Sequence, residues 1–234
     1  MSQEEHKASF KDSGNNYGDV TGNESIWGKP GEIITRLILR NVKPGDSVVD
    51  GPSGDGRYTE IIGDAAGELG HIINIDLDEQ GLERTYIRIG DAYKARVKAV
   101  KADLTEPLPK EFSDNSVDRF MCLGFIHLID PKKLQGVFFP EVMRILKPGG
   151  TFFGNFLVNV VRTDLNTGLV IPTVEFAEQD YSVEEGLALL MKSFADHNLT
   201  ADTYRGLEFD YPDANPPYHW SGSSIVFEVQ KMIQ

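Results

Sequence analysis

Short apolar runs alternate with amphipathic stretches along most of this chain. "SVVD" (47–50), "HIINID" (71–76), "VKAVKADL" (97–104), "SVDRFMCLGFI" (116–126) and "TFFGNFLV" (151–158) read as strands. The fourth run is apolar at nearly every position, as a strand covered on both faces should be. Between them lie helical patterns. "WGKPGEIITRLILRNV" (27–42) is entered through Pro30 and sets Ile33, Ile34, Leu37 and Ile38 on one face. Residues 57–66, 78–95 and 130–147 read as further helices; Gly81 and Gly90 weaken the second, and Pro140 disturbs the third. "PGG" (148–150) separates the last of these from its strand.

Alternation of this kind predicts an α/β fold: a doubly wound, mostly parallel sheet with helices on both faces. The end of the chain differs. A helix over 182–198 precedes two strands, 200–211 and 223–232. The loop between them is too short for a helical crossover, so they pair antiparallel. The sheet is then seven-stranded with a C-terminal antiparallel strand. Residues 1–42 form an N-terminal flap and leading helix, and 43–234 one domain. The length fits this organisation, and no repeats or low-complexity tracts appear.

The net charge of −13 comes from 36 Asp+Glu against 23 Lys+Arg. Nucleic-acid binders draw most of their affinity from basic surfaces, so this balance points away from such a partner. Cys122 is the single cysteine, which excludes an internal disulfide and a cysteine-based metal site; no metal is expected. No stretch approaches a membrane span, and "MSQEEHKASF" lacks a signal peptide's apolar core. A cytoplasmic protein is the expectation.

The chemistry concentrates in "VVDGPSGDGRYTE" (48–60). A glycine loop between strand and helix lets backbone N–H groups approach a ligand. The dinucleotide fingerprint G-x-G-x-x-G fails here, because Thr59 stands at its third glycine and Asp50 puts a charge beside a pyrophosphate. No P-loop is present. An acid at that strand end suits a cationic group, such as the ammonium of an amino acid. Asp76 ends the next strand, where a carboxylate accepts from both hydroxyls of a ribose. Asp78 competes for this role but is well placed to cap the following helix. Asp103, past the next strand, suits an exocyclic amine such as adenine's, with Leu104 beside the ring. The three acids fall on the carboxyl edge of one sheet and describe a ligand with an amino-acid end, a ribose and an adenine.

With these residues in place, the chain resembles a class I S-adenosylmethionine-dependent methyltransferase from about Lys43 to Leu157. "VVDGPSGDGR" is similar to the family's first motif, "INIDLDEQGLE" to its ribose-binding strand and "VKADL" to its adenine turn. "FSDNSVDRFMCLGFIHLI" and "EVMRILKPGG" resemble the segments around its fourth and fifth strands. Pro52 departs from the commonest pattern, which has a glycine there. The resemblance implies S-adenosylmethionine as cofactor and S-adenosylhomocysteine as product. It places Asp50, Gly51, Ser53, Gly54 and Gly56 around the methionine part, Asp76 and Leu77 at the ribose, Asp103 and Leu104 at the adenine, and Leu123 and Gly124 on the methionine side.

Methyl transfer from a sulfonium is an in-line displacement that needs a general base only when the acceptor must lose a proton. His127, just after the fourth strand, is the best-placed base, although packing alone also explains it. "NPPY" (215–218) spells a motif of amino-methylating enzymes, but there it ends the fourth strand, where this chain has "LGFI". Here it reads as a turn whose Tyr218, His219 and Trp220 either touch the acceptor or make an ordinary aromatic-rich hairpin loop. Residues 159–181 form a long connection of the kind often used as a lid. The N-terminal segment, with Tyr17 and Trp27, resembles the flap of small-molecule members of the family. A small-molecule acceptor follows as the expectation, ahead of protein or RNA; a non-catalytic cofactor-binding protein is the rival class. Oligomeric state is not legible.

Overall fold

The computed structural model describes residues 32–172, 179–212 and 217–233. Tyr17, Trp27 and the expected N-terminal flap lie outside them.

The strands are β1 (Ser47–Asp50), β2 (His71–Asp76), β3 (Val97–Lys101), β4 (Val117–Leu123), β5 (Leu146–Asp164), β6 (Val170–Ile171), β7 (Asn198–Tyr211) and β8 (Tyr218–Gln230). Their order is β3-β2-β1-β4-β5-β8-β7, with β6 paired to β5 off this path. β1 to β5 run parallel, and β8 lies antiparallel between β5 and β7. The order reverses at β1, so the carboxyl ends of β1 and β4 flank a switch point, the usual ligand crevice of open α/β sheets.

The helices are α1 (Glu32–Asn41), α2 (Thr59–Ala66), α3 (Glu79–Arg88), α4 (Phe139–Ile145) and α5 (Val183–Ser193). Two cores sandwich the sheet. On one face Ile34, Leu37 and Ile38 of α1, spaced for a single helical stripe, meet Ile62, Met121 and Phe153. On the other, Phe138, Phe139 and Phe194 pack edge-on or tilted against Phe152, which also meets Phe120 and Phe227. Neighbours on β4 and β5 feed opposite cores (Phe120 and Met121, Phe152 and Phe153), which is why their sequence reads as unbroken apolar runs.

Besides smaller shifts (the helix expected over 182–198 ends at Ser193, β7 starts at Asn198, and β5 starts at Leu146, so that "PGG" lies within the strand), the structure departs from the expected elements in four main places. The helix expected over 78–95 ends at Arg88. Ile89 and Gly90 are extended, Glu60 Oε1 accepts the Gly90 N–H at 2.8 Å, and a separate turn follows at Asp91–Lys94. The helix expected over 130–147 begins as Pro131–Lys133 and widens into a π-turn, Leu134–Phe138, just before Pro140. Proline lacks the N–H that a regular helix would donate there.

The third and largest departure is β5, which does not stop at Val158 but runs on to Asp164. A bulge between Val158 and Val161, with Asn159 at φ 52°, carries it past the end of β4. β6 then folds back on it, and the Asp164 carboxylate accepts from the N–H groups of Asn166 and Thr167 in the turn. Farther on, Asn159 N–H donates to the Tyr181 carbonyl and Val160 N–H to Asp180 Oδ1. The described parts of the expected lid 159–181 are therefore a hairpin and a strap along β5; residues 173–178 lie outside the described chain.

The fourth is β8, which starts at Tyr218 rather than 223, so Tyr218, His219 and Trp220 are strand residues, not loop residues. His219 pairs with Thr163, eight positions beyond Asn155 and thus about 26 Å farther along β5 at ~3.3 Å per residue.

Candidate active site

The glycine loop leaves β1 over the switch point. Gly51 N–H donates to the Met121 carbonyl, and Ser53 N–H donates to that of Ile75, so the loop is stitched to β4 and β2 at once. Gly54 (φ 56°) and Gly56 (φ 72°) take the left-handed backbone that favours glycine. A Cβ on Gly54 would enter open space, as would one on Gly124 (φ 61°) beyond β4. Space is thus open beside the chain at the ends of both strands that flank the crevice, while the Gly54 and Gly124 N–H groups are held by Asp76 and by the Asn155 carbonyl. Ser53 is buried, and its Oγ has no hydrogen-bond partner among the described residues.

Asp50 is 2% exposed. Burial, aided by the negative charge of Asp76, pushes its carboxyl well above the usual carboxylate range. Asp76 accepts from Gly54 N–H at Oδ2 (2.7 Å) and from Asp78 N–H at Oδ1 (2.8 Å). Its pKa is raised by burial, against the lowering effect of those hydrogen bonds. Asp76 therefore clamps the glycine loop. Asp78 caps α3 through Gln80 N–H, as its position suggested. Leu77 is 40% exposed beside it. Asp103 closes a turn after β3, while Leu104 is buried in the core beneath, against the position of Gly51. Leu123 is half-buried at the end of β4.

His127 lies buried in a 3-10 turn, Ile126–Leu128. Leu157 N–H points at its Nδ1 over a long 3.5 Å, and its carbonyl accepts from Gln179 N–H. Nearby Tyr181 is buried, its hydroxyl without a hydrogen-bond partner among the described residues and its pKa pushed up to about 12 by burial and by the charges of Asp130 and Glu185. On the outer ribbon, Trp220 is 1% exposed with its indole over Gly222, a packing position. The Arg162 guanidinium lies 4.6 Å from the Tyr218 ring centroid, and His219 Nδ1 is 2.8 Å from Asp210 Oδ1.

Sequence reasoning expected α3 but missed that it supports the loop. A Cβ at Gly81 of α3 would lie 2.9 Å from the Gly54 carbonyl oxygen, and one at Gly56 would strike the Thr85 side chain. Arg88, one turn on, pairs with Asp55. Gly81, read only as a weak helix former, lets α3 approach the loop; an isolated glycine in a helical pattern was the available signal. Thr59, where a dinucleotide site has its third glycine, accepts from Asn74 Nδ2 at 2.8 Å, and both residues are fully buried. Gly81→Ala should lower the melting temperature, since its Cβ would press on the Gly54 backbone and the gain of about 1 kcal/mol in helix propensity offsets only part of that crowding. Cofactor affinity should fall several-fold as Gly54 is pushed aside; calorimetry beside thermal melting checks both.

The parallel sheet with its switch-point crevice, glycine loop and strand-end acids is a Rossmann-like α/β domain. Residues 49–154 match the profile of the family described as "Methyltransferase domain". A sterol 24-C-methyltransferase of Neurospora crassa is 26% identical over 208 residues, 82% of this chain and 50% of that protein. A demethylmenaquinone methyltransferase of Staphylococcus epidermidis is 25% identical over 179 residues, 76% of this chain and 66% of that protein. The chain thus spans between half and two thirds of the length of these curated relatives. A fold likeness reaches the Burkholderia thailandensis 1,6-didemethyltoxoflavin-N1-methyltransferase, solved with 1,6-didemethyltoxoflavin and S-adenosylhomocysteine: TM-score 0.64, 17% identity, 100% of this chain and 92% of that one. Over residues 49–154 the chain is similar to that methyltransferase domain, and its fold is the one seen in S-adenosylmethionine-dependent methyltransferases. The residues fit S-adenosylmethionine: Ser53 Oγ is a buried polar atom with no partner among the described residues, and Gly54 and Gly124 leave open space where a side chain would stand. Among the described residues, no helix is long and apolar enough to cross a membrane.

Proposed function

We propose that the protein is a cytoplasmic methyltransferase that moves a methyl group from S-adenosylmethionine to a small-molecule acceptor. The observation that carries this reading is the gathering of Asp50, Asp76 and the glycine loop, open at Gly54, at one switch point. The acidic surface supports a small acceptor over a nucleic acid, and relatives named for sterol, demethylmenaquinone and didemethyltoxoflavin substrates support it further.

In this reading Asp50 faces the cofactor's ammonium, with Gly51 and Ser53 beside it. Asp76 and Leu77 hold the ribose. Asp103 takes the adenine amine, and Leu104 supports the floor below. Leu123 and Gly124 line the methionine side. Tyr17 and Trp27 remain proposed acceptor contacts, with Tyr218 and His219 on the more distant ribbon. When bound, the cofactor supplies a methyl group already activated on a sulfonium, so the protein's work is to orient the acceptor and exclude water.

His127 is the proposed base. His127→Ala should leave S-adenosylhomocysteine affinity within about twofold and lower turnover roughly 10²-fold or more; lost binding would place the residue in the cofactor site instead. The activity itself is tested with methyl-labelled S-adenosylmethionine and a panel of phenols, quinols, amines, thiols and sterols. Label carried to one class of acceptor supports the reading. Cofactor binding with no transfer to any of them speaks for a non-catalytic binding protein.

A further inference from the structure

The turn after β3 holds an arrangement that bears on which base the crevice accepts. Asp103 Oδ1 accepts twice from Thr105, from its N–H at 2.9 Å and its hydroxyl at 2.7 Å. The Thr105 hydroxyl in turn faces Lys133 Nζ at 3.4 Å, and the same ammonium pairs with Glu106 at 2.6 Å. Lys133 sits on the turn Pro131–Lys133, capped by Asp130 and downstream of β4. It therefore ties the segment after β4 to the turn after β3, across one flank of the crevice.

A hydroxyl beside an ammonium turns its lone pair toward the cation and its proton away. Here that direction is toward Asp103 Oδ1. The Thr105 backbone and side chain together fix the plane of the carboxylate, and Lys133 fixes the rotor of Thr105. We propose that Thr105, oriented by Lys133, is a positioning residue that makes the Asp103 site selective for a 6-amino purine. This inference rests on the S-adenosylmethionine reading above. A fixed carboxylate accepts from an exocyclic amine; a 6-oxo purine turns an oxygen toward it and is repelled. A carboxylate free to rotate can swing away from that oxygen and so discriminates less.

The test is the ratio of dissociation constants for S-inosylhomocysteine and S-adenosylhomocysteine, measured by calorimetry. Wild type should favour the adenine ligand roughly tenfold or more. Thr105→Val keeps the shape and removes the hydroxyl, and it should cut that preference by roughly three- to tenfold. Thr105→Ser should restore it. Lys133→Met, at a half-exposed site with little bearing on folding, should lower it in the same direction by a smaller factor. An unchanged ratio in both Thr105→Val and Lys133→Met overturns the proposal while leaving the cofactor reading intact. Should Thr105→Val fail to fold, Lys133→Met decides alone. Failure of wild type to bind either ligand overturns the cofactor reading and this proposal with it.

Discussion

Asp76→Ala is expected to weaken S-adenosylhomocysteine binding by roughly 1.5–3 kcal/mol, about ten- to 150-fold. Two losses combine. In the proposed complex the ribose hydroxyls lose a charged acceptor. In the empty protein the N–H groups of Gly54 and Asp78 lose theirs, so the loop is no longer held at the geometry it needs. Asp78→Ala separates the effects. It removes the α3 cap and the contact with Arg84 but leaves the loop clamp, so it should cost about 1 kcal/mol of stability and little affinity. Equal losses of affinity from the two variants would undo the assignment of Asp76.

Asp50→Asn should have opposite effects on stability and binding. Asp50 is buried at the end of β1, between Asn74 of β2 and Met121 of β4, and its folded-state pKa lies well above its unfolded value. The folded protein therefore holds a proton that the unfolded chain gives up. Stability falls as pH rises from the unfolded pKa to the folded one, and the full cost remains above that. The asparagine variant carries no such cost. Its melting temperature should match wild type near pH 4 and exceed it at neutral pH, by an amount equivalent to roughly 0.5–2 kcal/mol. Cofactor affinity should move the other way, because an amide offers no charge to an ammonium. Wild-type affinity should also rise with pH through the folded pKa of Asp50, as the carboxylate forms, and the variant should lack that rise. Melting curves and titrations across pH check both; a variant less stable than wild type at neutral pH would mean Asp50 is ionised and satisfied in the empty site.

The parts of the site legible in the sequence are those where a strand runs out into a turn. Asp50, Asp76 and Asp103 each follow a β-branched or apolar run, and the helices between those runs force the strands to be parallel, so their ends share one edge. The parts that stayed hidden are set by contacts distant in sequence. β5 reaches Asp164 because β8 and β6 pair with "NVVRTD", a segment whose mixed polarity carries no strand signal alone. That extension moved Tyr218, His219 and Trp220 from a loop into a strand. Gly81 acquires its meaning only once α3 lies against Gly54, and Thr59 once Asn74 reaches it across the sheet. The end of α3 at Arg88 is likewise tertiary, since Glu60 takes the N–H of Gly90.

The central claim is that the switch-point crevice holds S-adenosylmethionine. Calorimetric titration of the protein with S-adenosylmethionine, S-adenosylhomocysteine and NAD in parallel tests it most directly. Saturable binding of the first two, with NAD showing none, is the predicted result. Binding of NAD in their place would contradict the reading of the glycine loop and of the acids at the strand ends.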